Sequence, residues 1–115
     1  DAEIEFTVVA EEEINIEHLL NYPNPFTTNT EFSFEHNQVC DFLDIQLQIF
    51  TINGKVVKSI EQRVHSDGFR VDGIRWDGRD DFGDRIGIGI YVYKMTIMTE
   101  SGSTLEKFEK IVILN

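Results

Sequence analysis

Trp76-Asp77-Gly78-Arg79-Asp80-Asp81-Phe82-Gly83-Asp84-Arg85-Ile86-Gly87-Ile88-Gly89-Ile90-Tyr91-Val92-Tyr93-Lys94 enters on an aromatic residue and crosses a loop crowded with Asp, Arg and Gly. It leaves as a strand. Ile88, Ile90, Val92 and Lys94 fall on one side, and Gly89, Tyr91, Tyr93 and Met95 on the other. Such period-two alternation marks an extended chain with one face buried. The acidic loop ahead of it is either a metal or catalytic site or a hydrophilic turn, and most of the functional question turns on which.

Outward from this stretch, the same signals recur. Downstream, Glu100-Ser101-Gly102-Ser103 turns the chain into a closing strand, Thr104 to Leu114, with Phe108, Ile111 and Ile113 as expected core. Upstream, Phe69 to Trp76 reads as a strand entered through the turn Ser66-Asp67-Gly68. Before it, Asn53-Gly54 is a strong hairpin signal, expected as a type I′ turn between Leu43–Phe50 and Lys55–Val64. Leu43, Ile45, Leu47 and Ile49 share one face, with Asp44, Gln46 and Gln48 on the other. Thr30 to His36 places Phe32 and Phe34 together. Strands recur about every ten residues with no helical window, which defines an all-β, immunoglobulin-like antiparallel sandwich of about seven strands.

The N-terminal part differs. Ile4 to Val9 alternates as a strand with no local partner, and Ala10 to Glu13 reads as an acidic linker. Residues 1–13 are therefore expected to be the tail of a preceding domain, and 14–115 the sandwich. Because the chain opens in mid-pattern at Asp1, any export signal is expected upstream. A strand without its sheet seeks a partner, so self-association through Ile4–Val9 is an open expectation. Ile14 to Leu20 is a short strand running into Asn21-Tyr22-Pro23-Asn24-Pro25-Phe26. Each proline fixes φ and removes a ladder donor, which predicts an extended, unpaired corner with Tyr22 and Phe26 as apolar pegs. A rigid entry corner and a recognition epitope both fit it.

A chain of 115 residues fits one domain and buries about 65% of its unfolded surface. With 21 acidic and 10 basic residues the net charge is −11. The first twenty residues hold seven acids and no base. That balance opposes nucleic acid, which is held by Lys and Arg on phosphate, and equally a polybasic contact with anionic lipid. No apolar run reaches the ~18 residues that span a bilayer. Cys40 stands alone, so no internal disulfide forms; it is expected as a small buried side chain or as a cross-link between two copies.

Chemistry is sparse. Counted from Asp77, the helix-loop-helix calcium template meets Arg79 at position 3, Phe82 at 6 and Ile88 at 12, and fails. Arg79 and Arg85 are expected to pair with the neighbouring carboxylates, and a calcium or carbohydrate module outside that template stays an alternative. His18, His36 and His65 are far apart and are read as surface or strand-end residues. No nucleophile sits on an elbow and no Gly-rich loop opens a helix. The expectation is a non-enzymatic domain without cofactor or metal, one that is bound rather than one that turns over substrate.

Three stretches resemble a known family. Leu20 to Thr28 resembles the "YPNPF" opening of the C-terminal domains that address proteins to the type IX secretion system of Bacteroidetes. Leu47 to Val57 is similar to that family's second motif, and Trp76-Asp77-Gly78 through Gly89-Ile90-Tyr91 to its "WDG…G.Y" block. The last block is also a hallmark of the immunoglobulin-like domain of flagellar hook-cap proteins, where such a domain is a structural spacer. The resemblance implies a seven-stranded sandwich that sends its parent through the outer membrane to the cell surface. Transit would run through the periplasm. The implied partners are the outer-membrane translocon, a PorV-like shuttle barrel and a sortase complex. The upstream strand and linker look like the tail of a gingipain-type cysteine peptidase, so the parent is expected to be a sortase with its active site upstream. On this reading recognition falls on Tyr22, Pro23, Asn24, Pro25, Phe26, Gly89, Tyr91, Lys107, Lys110, Ile111 and Val112. The terminal strand, Lys107 to Leu114, would offer an accessible edge. A neutral Asn115 departs from the basic finish usual in the family, and retention as a permanent anchor is an alternative to cleavage.

Overall fold

A computed structural model describes residues 14–38, 41–66 and 68–114. The expected strand Ile4–Val9, the linker and Cys40 lie outside them. Seven strands follow in order: β1 (Ile16–Tyr22), β2 (Thr30–His36), β3 (Asp41–Phe50), β4 (Val56–Ser66), β5 (Arg70–Trp76), β6 (Gly89–Thr99) and β7 (Thr104–Ile113). They form two sheets, β1-β2-β5 and β4-β3-β6-β7, with every strand pair antiparallel. The all-β, seven-stranded sandwich read from the sequence is the fold.

The core lies between the sheets and follows from alternation. Leu43, Ile45, Leu47 and Ile49 of β3 are buried, and across the ladder Thr99, Ile97, Met95 and Tyr93 of β6 face the same way. Phe32 and Phe34 of β2, with Val71, Ile74 and Trp76 of β5, close over them. The Phe32 and Tyr93 rings meet edge to face at 4.8 Å, joining the two sheets.

Alternation fails where a strand gains a residue. Between Glu17 and Leu20 β1 carries one residue more than β2 opposite, and His18 takes φ 56° there. Between Val71 and Ile74 β5 does the same, with Gly73 at φ 85°. A bulge reverses which face each later side chain meets, so Val71, Ile74 and Trp76 can all point inward.

Two expectations are corrected. Phe108 is 59% exposed rather than core. Ile111 and Ile113 point inward, and the two-residue repeat sends Phe108 to the outer face, opposite Lys94. The turn at Asn53-Gly54 is not type I′, which needs positive φ at both central residues. Only Gly54 has it; the bond from Gly54 N–H to Thr51 C=O (2.9 Å) centres the turn on Ile52-Asn53, with Gly54 left-handed behind it.

This turn recurs. Thr51–Lys55, Asp80–Asp84 and Thr99–Ser103 each begin with a side-chain oxygen and carry Gly fourth, at φ 93°, 90° and 99°. In each, the N–H of the first residue donates to the C=O of the fifth at 2.8–2.9 Å. The first side chain also accepts from the fifth N–H, at 3.1 Å for Thr51, 2.9 Å for Asp80 and 3.1 Å for Thr99. The acidic loop is thus built as a small hairpin, with Arg79 bridged to Arg85.

Candidate recognition surface

The three motif stretches meet at one end of the sandwich. Phe26 is 1% exposed and packs edge to face on Trp76 at 5.6 Å. Gly78 lies against the same ring: a Cβ there, at φ 78°, would come 3.5 Å from Phe26. Trp76 Nε1 donates to Arg79 C=O at 2.9 Å, holding the start of the acidic loop. Arg85 crosses back and donates to Thr27 C=O at 2.6 Å, tying that loop to the residue after the corner. The Tyr91 hydroxyl donates to Gly87 C=O at 2.9 Å, fixing the entry to β6.

The corner is paired, contrary to expectation. Tyr22 ends β1 opposite Glu31, and at 76% exposed it is not a peg. Phe26 bridges Ile113 in parallel: its N–H donates to Val112 C=O (3.1 Å), and Leu114 N–H donates to its C=O (2.8 Å). Asn24 continues the pattern with its side chain. Its Nδ2 donates to Lys110 C=O (3.1 Å), and its Oδ1 accepts from Val112 N–H (3.0 Å). A side-chain amide carries two N–H donors and a C=O acceptor, and one N–H lies on the same side as the oxygen, as the N–H and C=O of a single strand residue do, so Asn24 stands in for a strand residue. Asn21 supports it from behind, accepting from Asn24 Nδ2 at 3.1 Å and donating to Thr30 Oγ1 at 3.1 Å.

Two corrections follow. Of the edge expected to be open along Lys107–Leu114, the part from Lys110 to Leu114 is closed, because Asn24 and Phe26 occupy its hydrogen-bonding groups. The expected recognition residues also split by burial. Phe26 and Ile111 are interior; Tyr91, Val112 and Gly89 are half-buried; Tyr22, Pro23, Asn24, Pro25, Lys107 and Lys110 are exposed. Sequence reasoning missed the exposed apolar side chains beside them, Ile88, Ile90 and Leu114. The alternation of β6 contained that signal, since Ile88 and Ile90 oppose the buried Tyr93 face.

Three of the acidic loop's four carboxylates, those of Asp77, Asp80 and Asp81, bond within the protein. Asp80 Oδ1 accepts from Phe82 and Asp84 N–H, both at 2.9 Å. Asp81 Oδ1 accepts from Ser59 N–H at 3.2 Å and faces Lys58 at 3.8 Å. Arg79 pairs with Asp77 at 3.7 Å as expected. Among the described residues Arg85 pairs with no carboxylate; it donates to the carbonyls of Asp77 and Thr27. Among the histidines, His18 is an exposed partner of Glu35 at 2.9 Å, and the His65 ring meets Phe42 at a tilt, centroids 4.7 Å apart, near the end of β4. His36 ends β2 but is buried, its Nδ1 accepting from Gln38 N–H at 3.0 Å. In the core, burial, together with the nearby Glu109 carboxylate, pushes the Tyr93 phenol well above its ordinary value, and its hydroxyl has no partner among the described residues.

This arrangement defines an immunoglobulin-like domain whose motif residues hold a composite surface at one end, made of the corner, the entry to β6 and the end of β7. Residues 20–72 match the family model of the secretion system C-terminal sorting domain. The chain carries a C-terminal sorting domain of the type IX secretion class. No curated protein sequence matches it. Among solved structures it is similar to dimeric latent PorU from Porphyromonas gingivalis, at 22% identity and TM-score 0.77, over 91% of this chain and 10% of that one. It is also similar to FlgD from Xanthomonas campestris, a hook-capping protein of flagellar assembly, at 17% identity and TM-score 0.59, over 95% of this chain and 74% of that one. Both likenesses are of fold. The chain spans about a tenth of the PorU chain. Domains of this class are the signals by which the type IX machinery exports a protein through the outer membrane to the cell surface.

Proposed function

We propose that the signal is read from the exposed part of the composite surface: Tyr22, Pro23, Asn24 and Pro25 of the corner, with Lys107, Lys110 and Val112 of β7. Phe26, Gly89, Tyr91 and Ile111 act by holding that surface in place. The supporting observation is the clamp itself. Four hydrogen bonds from Asn24 and Phe26 make the corner and Lys110–Leu114 one rigid unit, although they lie far apart in sequence. A receptor that grips one therefore meets the other in a set geometry, which lowers the ordering cost of binding.

Residues 14–115 would form the sorting domain and 1–13 the end of the domain before it. The parent would pass through the periplasm and meet the translocon, a PorV-like shuttle and the sortase complex. The fold likeness to PorU makes a sortase-like parent with its active site upstream the favoured one. The domain would do no chemistry itself. In a full-length parent expressed in a type IX-competent cell, deletion of residues 105–115 should leave the protein in the periplasm. Surface display of the deleted protein would refute the assignment.

A further inference from the structure

The three turns that share one backbone, Thr51–Lys55, Asp80–Asp84 and Thr99–Ser103, differ in the residue before their glycine. It is Phe82 in the second and Ser101 in the third, so the turn demands no particular side chain there. In the first it is Asn53. Asn53 is exposed, and among the described residues its side-chain amide makes no hydrogen bond. The other described asparagines are held. Asn15 donates to Glu17, Asn29 to Thr28, Asn21 to Thr30 and Asn24 to Lys110, while Asn37 accepts from Asn15 N–H.

Asn53 is also the asparagine that glycine follows; the other five precede Ile16, Tyr22, Pro25, Thr30 and Gln38. Glycine carries no Cβ, so its nitrogen is the least hindered in attacking the side chain before it. At Gly54 even an added Cβ would meet nothing within 4 Å, which leaves room for a ring and for water. We propose that Asn53 is a modification site, converted by intramolecular deamidation to aspartate and isoaspartate. Water or hydroxide takes the proton of Gly54 N–H, and that nitrogen attacks Asn53 Cγ. The new C–N bond closes a succinimide ring, the Cγ–Nδ2 bond breaks, and ammonia leaves with a proton returned by solvent. Water then opens the ring. Addition at Cγ gives aspartate; addition at the main-chain carbonyl carbon of residue 53 gives isoaspartate. Nothing is oxidised or reduced, and water is the only co-reactant.

The turn sets the pace. Gly54 N–H is donated to Thr51 C=O at 2.9 Å, so its nitrogen reacts from the opened turn. Thr51 resists opening with its hydroxyl, which accepts from Lys55 N–H at 3.1 Å. The aspartate product keeps the backbone and adds one negative charge. Isoaspartate routes the chain through the former side chain and lengthens it by one carbon, so the bonds of Thr51 to Gly54 and Lys55 no longer close together. The damage falls at the start of β4, where the acidic hairpin docks. There Asp81 N–H donates to Val57 C=O at 3.0 Å, and Asp81 Oδ1 accepts from Ser59 N–H at 3.2 Å. Isoaspartate at 53 therefore loosens the hairpin, whatever partner reads the sorting surface.

Incubation of the 115-residue chain in warm, mildly alkaline buffer tests this. Products are separated by charge and mapped by peptide mass spectrometry, with enzymatic methylation marking isoaspartate. Asn53 should deamidate about tenfold faster than any other described asparagine, because glycine follows it. Asn53→Ser, which copies the Ser101-Gly102 turn, should keep the circular dichroism spectrum and give no product at 53. Thr51→Val should speed the reaction about fivefold, the change in turn opening expected from one lost hydrogen bond. In the purified isoaspartate form Asp81 N–H should exchange faster than in the parent, with β6 amides unchanged. Deamidation at Asn53 no faster than at the other asparagines overturns the proposal. An unchanged rate in Thr51→Val overturns the control by the turn, and unchanged Asp81 exchange overturns the coupling to the hairpin.

Discussion

Replacing Asn24 with Ala removes the side chain that imitates a strand residue at the end of β7. Three hydrogen bonds are lost: Nδ2 to Lys110 C=O (3.1 Å), Val112 N–H to Oδ1 (3.0 Å) and Nδ2 to Asn21 Oδ1 (3.1 Å). The two backbone groups lie at an exposed edge and water replaces Asn24 there, so each bond is worth the lower end of the usual ~0.5–1.5 kcal/mol. Asn21 is buried and keeps its bond to Thr30, which limits the third loss. The sum is about 1–2 kcal/mol, or a fall in Tm of roughly 5–10 °C for a domain near this size. Urea unfolding measures the total. Amide hydrogen exchange localises it: Val112 N–H should exchange faster by more than the global loss explains, while β3 amides follow global stability alone. Unchanged protection at Val112, or a stability loss below about 0.3 kcal/mol, would refute the clamp. If the clamp also presents the sorting surface, the same variant in a full-length parent should reach the cell surface less well than its residual stability predicts.

Two further perturbations probe the core and the acidic hairpin. The Tyr93 phenol ionises far less readily in the folded chain than in the unfolded one, so stability is fully present below about pH 10, where both states are protonated. Above that the unfolded chain alone gives up its proton, and stability falls by about 1.4 kcal/mol per pH unit. Tyr93→Phe should remove that part of the alkaline loss and, by deleting an unpartnered hydroxyl, leave stability at pH 7 equal or about 1 kcal/mol higher; parallel alkaline curves for the two proteins would contradict the assignment. Asp80→Ala should cost about 1–2 kcal/mol in urea unfolding, since one carboxylate oxygen receives two backbone N–H groups, and Asp80→Asn should recover most of it. Equal losses in the two would mean that charge, and not the acceptor oxygen, holds the turn.

Much of the fold was legible because it is written in local periodicity. Leu43, Ile45, Leu47 and Ile49 alternate without interruption, and β3 and its core face follow directly. Phe32 and Phe34 were legible for the same reason. Where a residue is inserted, the pattern breaks: Gly73 inside β5 marks a bulge locally, but the joint burial of Val71 and Ile74 follows only with β2 beside it. Phe108 was misread because hydrophobicity alone says core, whereas its phase relative to Ile111 and Ile113 says outer face. The turn at Asn53-Gly54 was placed correctly but typed wrongly. Thr51 and Gly54 together favour the centring on Ile52-Asn53, and dipeptide preference does not weigh Thr51.

The candidate site divides along the same line. Composition, alternation and the three motif stretches by themselves determined a β-sandwich stabilised by packing, with a Pro-bounded corner and a hydrophilic loop between strands. Only the tertiary structure decided that the corner closes the end of β7, that the acidic hairpin covers the start of β4, and which motif residues face water. The hydrogen bonds responsible join Asn24 to residues 86 and 88 positions away. A pairing at that separation depends on how two sheets stack and which edges come together, and neighbouring side chains along the chain carry no record of that.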